Sequence, residues 1–370
     1  MKQDKVSSEC AANWVIRKYR EGDGGQINDL FNLVFRQLRT LKEWRHKFEK
    51  NPYMTAQSLS SLITVAESEG NIVGLYANLP IIFKMKDSLI RVAQPVDNMI
   101  HPRFQGSAKA IRDLFAIQYE RAGEDGIYFG FGVPNERYYP IGKRFLGYKD
   151  VGMFCTLFKR LNWRLVIRDR IPSFLHSAIN PVKRLSTGIM RASLSFRGWE
   201  KSARLVNVVR FDERVDNLWE RANGRYGVMA VRDSRYLNWR YVEKPDDPYY
   251  YLLAEADGEV IGYIILKLKK SLESNVGFIV DILSVEERSD KVLIKAALQH
   301  FLDEEVDYVL CRALREGLLY KSLLSLGFIE REEFKPTPVV YKLFREVDEY
   351  FLKEPDNWYL TYGDQIDVAF

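Results

Sequence analysis

The sequence predicts a mixed α/β fold, an α+β arrangement on a mixed sheet, built twice in tandem. Three observations carry this. A hairpin-like segment recurs in each half of the chain. Helical and strand periodicities follow one another without the regular alternation of a doubly wound sheet. The 370 residues suffice for two well-filled cores.

The repeat is the first of these. Residues 66–76 read Ala-Glu-Ser-Glu-Gly-Asn-Ile-Val-Gly-Leu-Tyr, and residues 254–264 read Ala-Glu-Ala-Asp-Gly-Glu-Val-Ile-Gly-Tyr-Ile. Each is an acidic-Gly turn between apolar runs, with a second glycine inside the returning strand, the mark of a bulge or a close backbone approach. Upstream, Glu43-Trp44-Arg45 corresponds to Asn238-Trp239-Arg240; downstream, Phe145-Leu146-Gly147-Tyr148 corresponds to Ser325-Leu326-Gly327-Phe328. Three pairs in one order indicate a duplicated domain. The divisions are 1–160 for the first domain, 161–202 for a connector, 203–346 for the second domain and 347–370 for an aromatic tail. The connector is basic, with Arg164, Arg168, Lys183 and Arg184 among its cations against only Asp169 and Glu200. It offers weak contact with an anionic membrane surface. The tail, with Trp358, Tyr359 and Tyr362, is too aromatic for a disordered tag and is expected to dock on a domain or in the groove between them.

In the first half, Val15–Tyr19 reads as a strand. A helix follows from Asp23 or Gly24, with Ile27, Leu30, Phe31, Val34 and Phe35 on one face. A second helix runs from Leu41 to Lys50 and ends near Asn51-Pro52. Strands are expected at 62–66, 72–79, 89–92 and 96–100. A helix at 108–122, a buried strand at 127–133, a short helix around 139–145 and a strand at 152–158 complete the domain. In the second half, a strand at 277–285 and a helix at 291–303 repeat part of this series.

Composition excludes several classes. The net charge of +5 permits an anionic ligand without requiring one. Cys10, Cys155 and Cys311 are too few and too scattered for a disulfide framework or a metal site, and the four histidines show no ligand spacing, so no metal is expected. The apolar core of a signal peptide and a membrane-spanning run are both lacking. A cytoplasmic protein, monomeric or homodimeric, is expected, with no nucleic-acid partner.

Chemistry is concentrated in His101-Pro102-Arg103-Phe104-Gln105-Gly106-Ser107-Ala108-Lys109-Ala110, between a strand and a helix. Small residues at 106, 107, 108 and 110 let a ligand approach the backbone. The free N–H groups of the helix start and the helix dipole then favour an anion such as a pyrophosphate. This segment resembles the pyrophosphate loop of the GNAT N-acetyltransferases, with Arg103, Gly106 and Ala108 at the matching positions and Gln105 where an Arg is common. The hairpin with Gly74, the Asn135 loop and the closing Leu146-Gly147-Tyr148 fall in that family's order. The resemblance covers about 15–160 well and 203–345 more weakly.

That resemblance implies two tandem GNAT-like folds, the second degenerate, and acetyl-CoA as co-substrate. Its pantetheine arm would lie in a split between the strands ending at Ile100 and Val133, against the backbone of Met99, Ile100 and His101. Arg103, Gln105, Gly106, Ser107, Ala108, Lys109 and Ala110 would hold the phosphates, and Asn135 would hold the pantetheine or cap its own turn. Acyl transfer needs a base for the acceptor ammonium and an acid for the leaving thiolate. Asp97 is the candidate base. The family's acid, a Tyr four residues before the closing Gly, is replaced here by Lys143, so Tyr138 and Tyr139 stand as substitutes.

In the second half the corresponding turn is Glu286-Glu287-Arg288-Ser289-Asp290, with no glycine and three carboxylates. Such residues suit a helix dipole and repel a pyrophosphate, so one CoA site per chain is expected. The acceptor is expected to be a small-molecule primary amine, an amino sugar being one candidate. The alternatives are a Fem-like aminoacyl transferase using charged tRNA and a non-catalytic GNAT-fold interaction protein.

Overall fold

The computed structural model describes residues 14–104, 108–162, 188, 190–195, 203–245 and 247–366. Most of the basic connector, residues 163–187 above all, lies outside them.

Among the described residues, fourteen strands form one sheet. From one edge run β1 (Val15–Lys18), β2 (Ile63–Ser68), β3 (Asn71–Met85), β4 (Ser88–Ile100) and β5 (Phe129–Gly132). From the other edge run β7 (Arg204–Val208), β9 (Tyr250–Ala256), β10 (Glu259–Lys270), β11 (Asn275–Ser284) and β12 (Tyr308–Leu314). Between them lie β14 (Thr337–Leu343) and β6 (Lys149–Arg160). Two short strands complete it: β8 (Val228–Ala230) pairs with β3, and β13 (Ile329–Glu330) with β6. The halves exchange their closing strands. β14, from the second half, pairs with β5 of the first, and β6, from the first half, pairs with β12 of the second. The chain position 160 is therefore no seam in the sheet.

The helices of the first half are α1 (Gly24–Phe35), α2 (Leu41–Phe48), α3 (Ala56–Leu62), α4 (Ala108–Glu124) and α5 (Tyr138–Ile141), the last continued by a wider turn over Gly142–Leu146. Ile27, Leu30 and Phe31 of α1 are buried, as their spacing predicts. Thr40 starts α2 with a reciprocal cap to Glu43. α3, begun by a Thr55 side-chain cap, has only seven residues and is too short for a periodic signal. The strands expected at 89–92 and 96–100 are one, β4. Pro95 suggests a break, but β4 meets β5 at the single pair Ala93↔Gly130. Among the described residues no strand pairs with β4 past that point on this side, a position where a strand tolerates proline.

Both hairpin glycines mark the same device. The β2–β3 register shifts beside Gly74 and the β9–β10 register shifts beside Gly262. A Cβ on Gly74 would lie 3.3 Å from Leu114 of α4, and one on Gly262 would lie 2.7 Å from Leu293. Each glycine lets the following helix pack closely on its strand. Trp44 and Trp239, the repeated tryptophans, are both buried, and Trp239 meets the helix that carries Trp44: its indole donates to the His46 carbonyl at 3.1 Å.

The tail docks as its composition suggests. Trp358 packs among Phe83, Phe129 and Phe131. Residues 359–365 then fill the divergence of β11 and β12, which pair only from Val276↔Tyr308 to Ile279↔Cys311. The Tyr359 hydroxyl donates to the Ile282 carbonyl, Thr361 donates to Asp281 at 3.2 Å, and Arg312 of β12 donates to Gln365. Arg232, fully buried, is neutralised by Asp281 at 3.1 Å and by Asp364 of the tail at 2.6 Å. Cys155 and Cys311 are free thiols buried in the core. No described helix is long and apolar enough to cross a membrane.

Candidate active site

Where β4 and β5 part, a cavity of about 990 Å³ opens. Gln94–Asn98 of β4 and Gly130–Asn135 from β5 line it together with Trp239, Arg240, Lys244 and Lys267 of the second half and Gln365 and Ile366 of the tail. The tail is tied to β4 through Gln94, whose amide donates to the Asp364 carbonyl at 2.7 Å and accepts from Ile366 N–H at 2.8 Å.

Asp97 sits in a bulge of β4 opposite Tyr76, since Leu75 pairs with Met99 and Ala77 with Val96. Its φ of 53° is left-handed, a conformation that Asp tolerates better than most residues. The bulge turns its side chain onto Arg39 at 2.5 Å and Lys47 at 2.7 Å, and the carboxylate is wholly buried. Burial pushes its pKa up, but Lys47 and Arg39 outweigh burial and hold it below the ordinary carboxylate value. Both oxygens are committed to cations. Asp97 is thus ionised and a weak proton acceptor.

Three tyrosines also line the cavity: Tyr76, Tyr138 and Tyr148. Burial first, then the neighbouring Tyr148, raises the Tyr138 phenol well above its ordinary value, and burial likewise raises Tyr76 and Tyr148. All three are protonated near neutral pH. The Tyr138 hydroxyl is buried without a well-formed hydrogen bond among the described residues, an arrangement that costs about 1–3 kcal/mol until a ligand supplies an acceptor. Asn135 fixes the turn that carries it: the Asn135 side-chain oxygen accepts from Arg137 N–H at 3.1 Å and Tyr138 N–H at 2.9 Å. Gly142 lets Tyr148 stand where it does, because a Cβ there would fall 2.2 Å from the Tyr148 ring. Tyr139 points elsewhere. Its hydroxyl donates to Asp150 at 3.0 Å on the surface, and it does not line the cavity.

Met99 and Ile100 pair with Leu75 and Gly74 on β3, which leaves the opposite edge of β4 toward the split. His101 N–H donates to the Val73 carbonyl at 2.8 Å, and Arg103 is exposed in a single turn, Pro102–Phe104. Gln105, Gly106 and Ser107 lie outside the described residues. Ala108, Lys109 and Ala110 form the first turn of α4. No group of three or more metal-ligating side chains occurs among the described residues.

Several cavity residues escape sequence reasoning. Lys47 and His46 follow the repeated Trp44 on α2, but helical spacing alone does not say which face meets the second half. His46 Nε2 bonds the Trp239 carbonyl at 2.9 Å, so that nitrogen carries the proton, and burial lowers its pKa. Lys244 and Lys267 both hold Asp247, to which Tyr249 also donates at 2.7 Å. Nothing in a linear pattern joins positions 47, 97, 244 and 267.

The second half shows what the repeat has become. The helix equivalent to α4 starts at Glu287, so Arg288, Ser289 and Asp290 lie in its first turn. Asp290 is buried there on Arg225 at 2.9 Å and Ser284 at 2.7 Å. An internal carboxylate thus stands at the helix start, and the tail fills the strand divergence.

A split parallel pair followed by a helix start, in a duplicated mixed sheet, defines an acyltransferase-like architecture. Residues 15–149 match the family model described as an acetyltransferase (GNAT) domain. Across 90% of the chain the fold is similar to a GCN5-related N-acetyltransferase from Anabaena variabilis, with TM-score 0.64, 14% identity and 73% of that protein covered. A probable N-acyltransferase from Enterococcus faecalis is similar over 90% of the chain and 72% of its own, with TM-score 0.60 and 11% identity. The N-myristoyltransferase of Saccharomyces cerevisiae, solved with myristoyl-CoA bound, is similar over 94% and 86%, with TM-score 0.56 and 11% identity. No curated protein matches by sequence.

Proposed function

We propose that the chain is an acyl-CoA-dependent N-acyltransferase, with acetyl as the default acyl group and a small amine as acceptor, amino sugars among the candidates. The open divergence of β4 and β5 beside Tyr138 carries this reading. The pyrophosphate sits on residues 105–108 ahead of α4, and the pantetheine arm lies along the edge of β4 that faces the split near Met99 and His101. The thioester then meets the tyrosines. A neutral amine attacks the thioester carbonyl, a C–N bond forms as the C–S bond breaks, and Tyr138 gives its proton to the departing thiolate. The acceptor's surplus proton leaves through water at the cavity mouth. Asp97, held by two cations, acts as an anchor for Arg39 and Lys47 in the wall.

Calorimetry with acetyl-CoA tests the site. The intact chain binds, and Gly106→Glu loses at least about tenfold in affinity, roughly 1.4 kcal/mol. Equal binding by both would remove the loop assignment. Release of free thiol across an amine panel tests turnover.

A further inference from the structure

The turn between α1 and α2 holds an apolar tip in water. Leu33 and Phe35 near the end of α1 are 52% and 41% exposed, and Leu38, three residues past Phe35, is 96% exposed. Single apolar side chains scattered on a surface are ordinary, but three within six residues are not. The turn that presents Leu38 is braced on both sides. Arg36 ends α1 in the left-handed conformation, with φ 54°. The Arg39 N–H donates to Asn32 Oδ1 at 2.8 Å, and its carbonyl accepts from Asn28 Nδ2 at 2.8 Å and Asn32 Nδ2 at 2.9 Å. The Arg39 guanidinium is fixed as well, paired with Asp97 and lying over the Phe31 ring. Leu38 is thus held outward by a built turn. Charge at the tip has one sign. Residues 30–42 contain Arg36, Arg39 and Lys42 and no carboxylate. Arg36 and Lys42 are exposed and form no ion pair among the described residues. Glu43 accepts from the Thr40 backbone and hydroxyl, and Asp29 stands one turn before Leu33.

We propose that residues 33–42 dock the chain on a membrane surface carrying anionic lipids. Arg36 and Lys42 meet the head groups, while Phe35 and Leu38 reach the boundary of the acyl chains. A second copy of the same tip fits less well, because a symmetric contact sets Arg36 and Lys42 against their like. Phe35, Arg36, Gln37 and Leu38 also line the cavity, so docking brings its opening to the lipid. The contact needs no acyl-CoA, and its failure leaves the acyltransferase reading untouched.

The test is co-sedimentation of the full chain, without cofactor, on two kinds of vesicle: phosphatidylcholine alone, and phosphatidylcholine with phosphatidylglycerol in equal parts. The chain binds the anionic vesicles at least about tenfold more tightly, and added salt weakens that binding. Leu38→Ser lowers the partition by about tenfold, as expected for one leucine side chain no longer buried. Arg36→Gln/Lys42→Gln lowers it by at least about fivefold and flattens the salt dependence. All three positions are exposed, so the urea midpoints of the variants stay at the wild-type value and lost contact is told from lost fold. Equal or absent binding to the two vesicles overturns the proposal. Binding that both variants leave intact also overturns it and moves the contact elsewhere, to the basic connector for one. Sedimentation velocity tests the remaining occupant: a dimer that Leu38→Ser dissolves, in a chain that ignores vesicles, gives the tip to a second copy and overturns lipid docking.

Discussion

Replacing Asp97 by Asn removes one charge and little else. The side chains are nearly isosteric, and Asn accepts the left-handed φ of 53° as readily as Asp. What remains is a buried pair of cations, since the Arg39 and Lys47 side chains are only 9% and 11% exposed. Removing one partner from such a cluster costs about 3–5 kcal/mol, because the charges left behind stay desolvated. The Asn carbonyl keeps one hydrogen bond, which places the expectation near the lower end. With m near 3 kcal/mol/M, urea unfolding shifts its midpoint down by about 1 M. The pH dependence has a definite sign. The folded-state pKa of Asp97 is depressed, so its stabilisation is complete above the unfolded value of about 3.9 and is lost as pH falls through the lower folded value. The gap between wild type and Asp97→Asn is therefore level from pH 5 to 8, on the order of 3 kcal/mol, and closes below about pH 4. Turnover separates anchor from base: loss of a general base lowers kcat by about 10²–10⁴ in folded protein, whereas loss of an anchor lowers it far less. A stability loss under about 1 kcal/mol, or a gap that persists in acid, would refute the ion-cluster account.

Two further outcomes follow from the same geometry. Tyr138→Phe lowers kcat by about 10²-fold or more while acetyl-CoA affinity stays within about threefold, and its melting temperature holds or rises because a poorly satisfied hydroxyl is removed; unchanged kcat in a thiol-release assay would dismiss Tyr138 as the acid. Asp290→Ala strands Arg225, whose side chain is 14% exposed, and costs about 3 kcal/mol in urea unfolding. Calorimetric stoichiometry stays at one acetyl-CoA per chain, and a second equivalent would show that Asp290 alone was blocking a competent site.

The duplicated frame was legible because local signals built it. Gly74 and Gly262 recur for the same reason, a register shift under a closely packed helix, and a two-residue acidic turn before each is visible in the sequence. The site's second wall was not. Lys47 reaches Asp97 only through a bulge in β4, and the Lys244–Asp247–Lys267 cluster forms only when β10 returns beside the 244–249 turn. Strand exchange was equally hidden. β5 and β12 each expect a neighbour, and either closing strand satisfies the same apolar pattern, so periodicity does not choose between β6 and β14.

The exchange also ties the second half, whose helix start holds the buried Asp290, to the first. β5, which forms one side of the split, has β14 of the second half as its other neighbour. The tail that plugs the β11–β12 divergence continues to Gln94 on β4, at the edge of the first cavity. Arg232 ties that tail to Asp281, which occupies in β11 the place Asp97 occupies in β4, three residues before the strand end. One copy uses the position to set cations at an open cavity, and the other uses it to lock a plug. The closed copy then serves as a wall, and its Lys244 and Lys267 stand in the cavity with the tyrosines of the open copy.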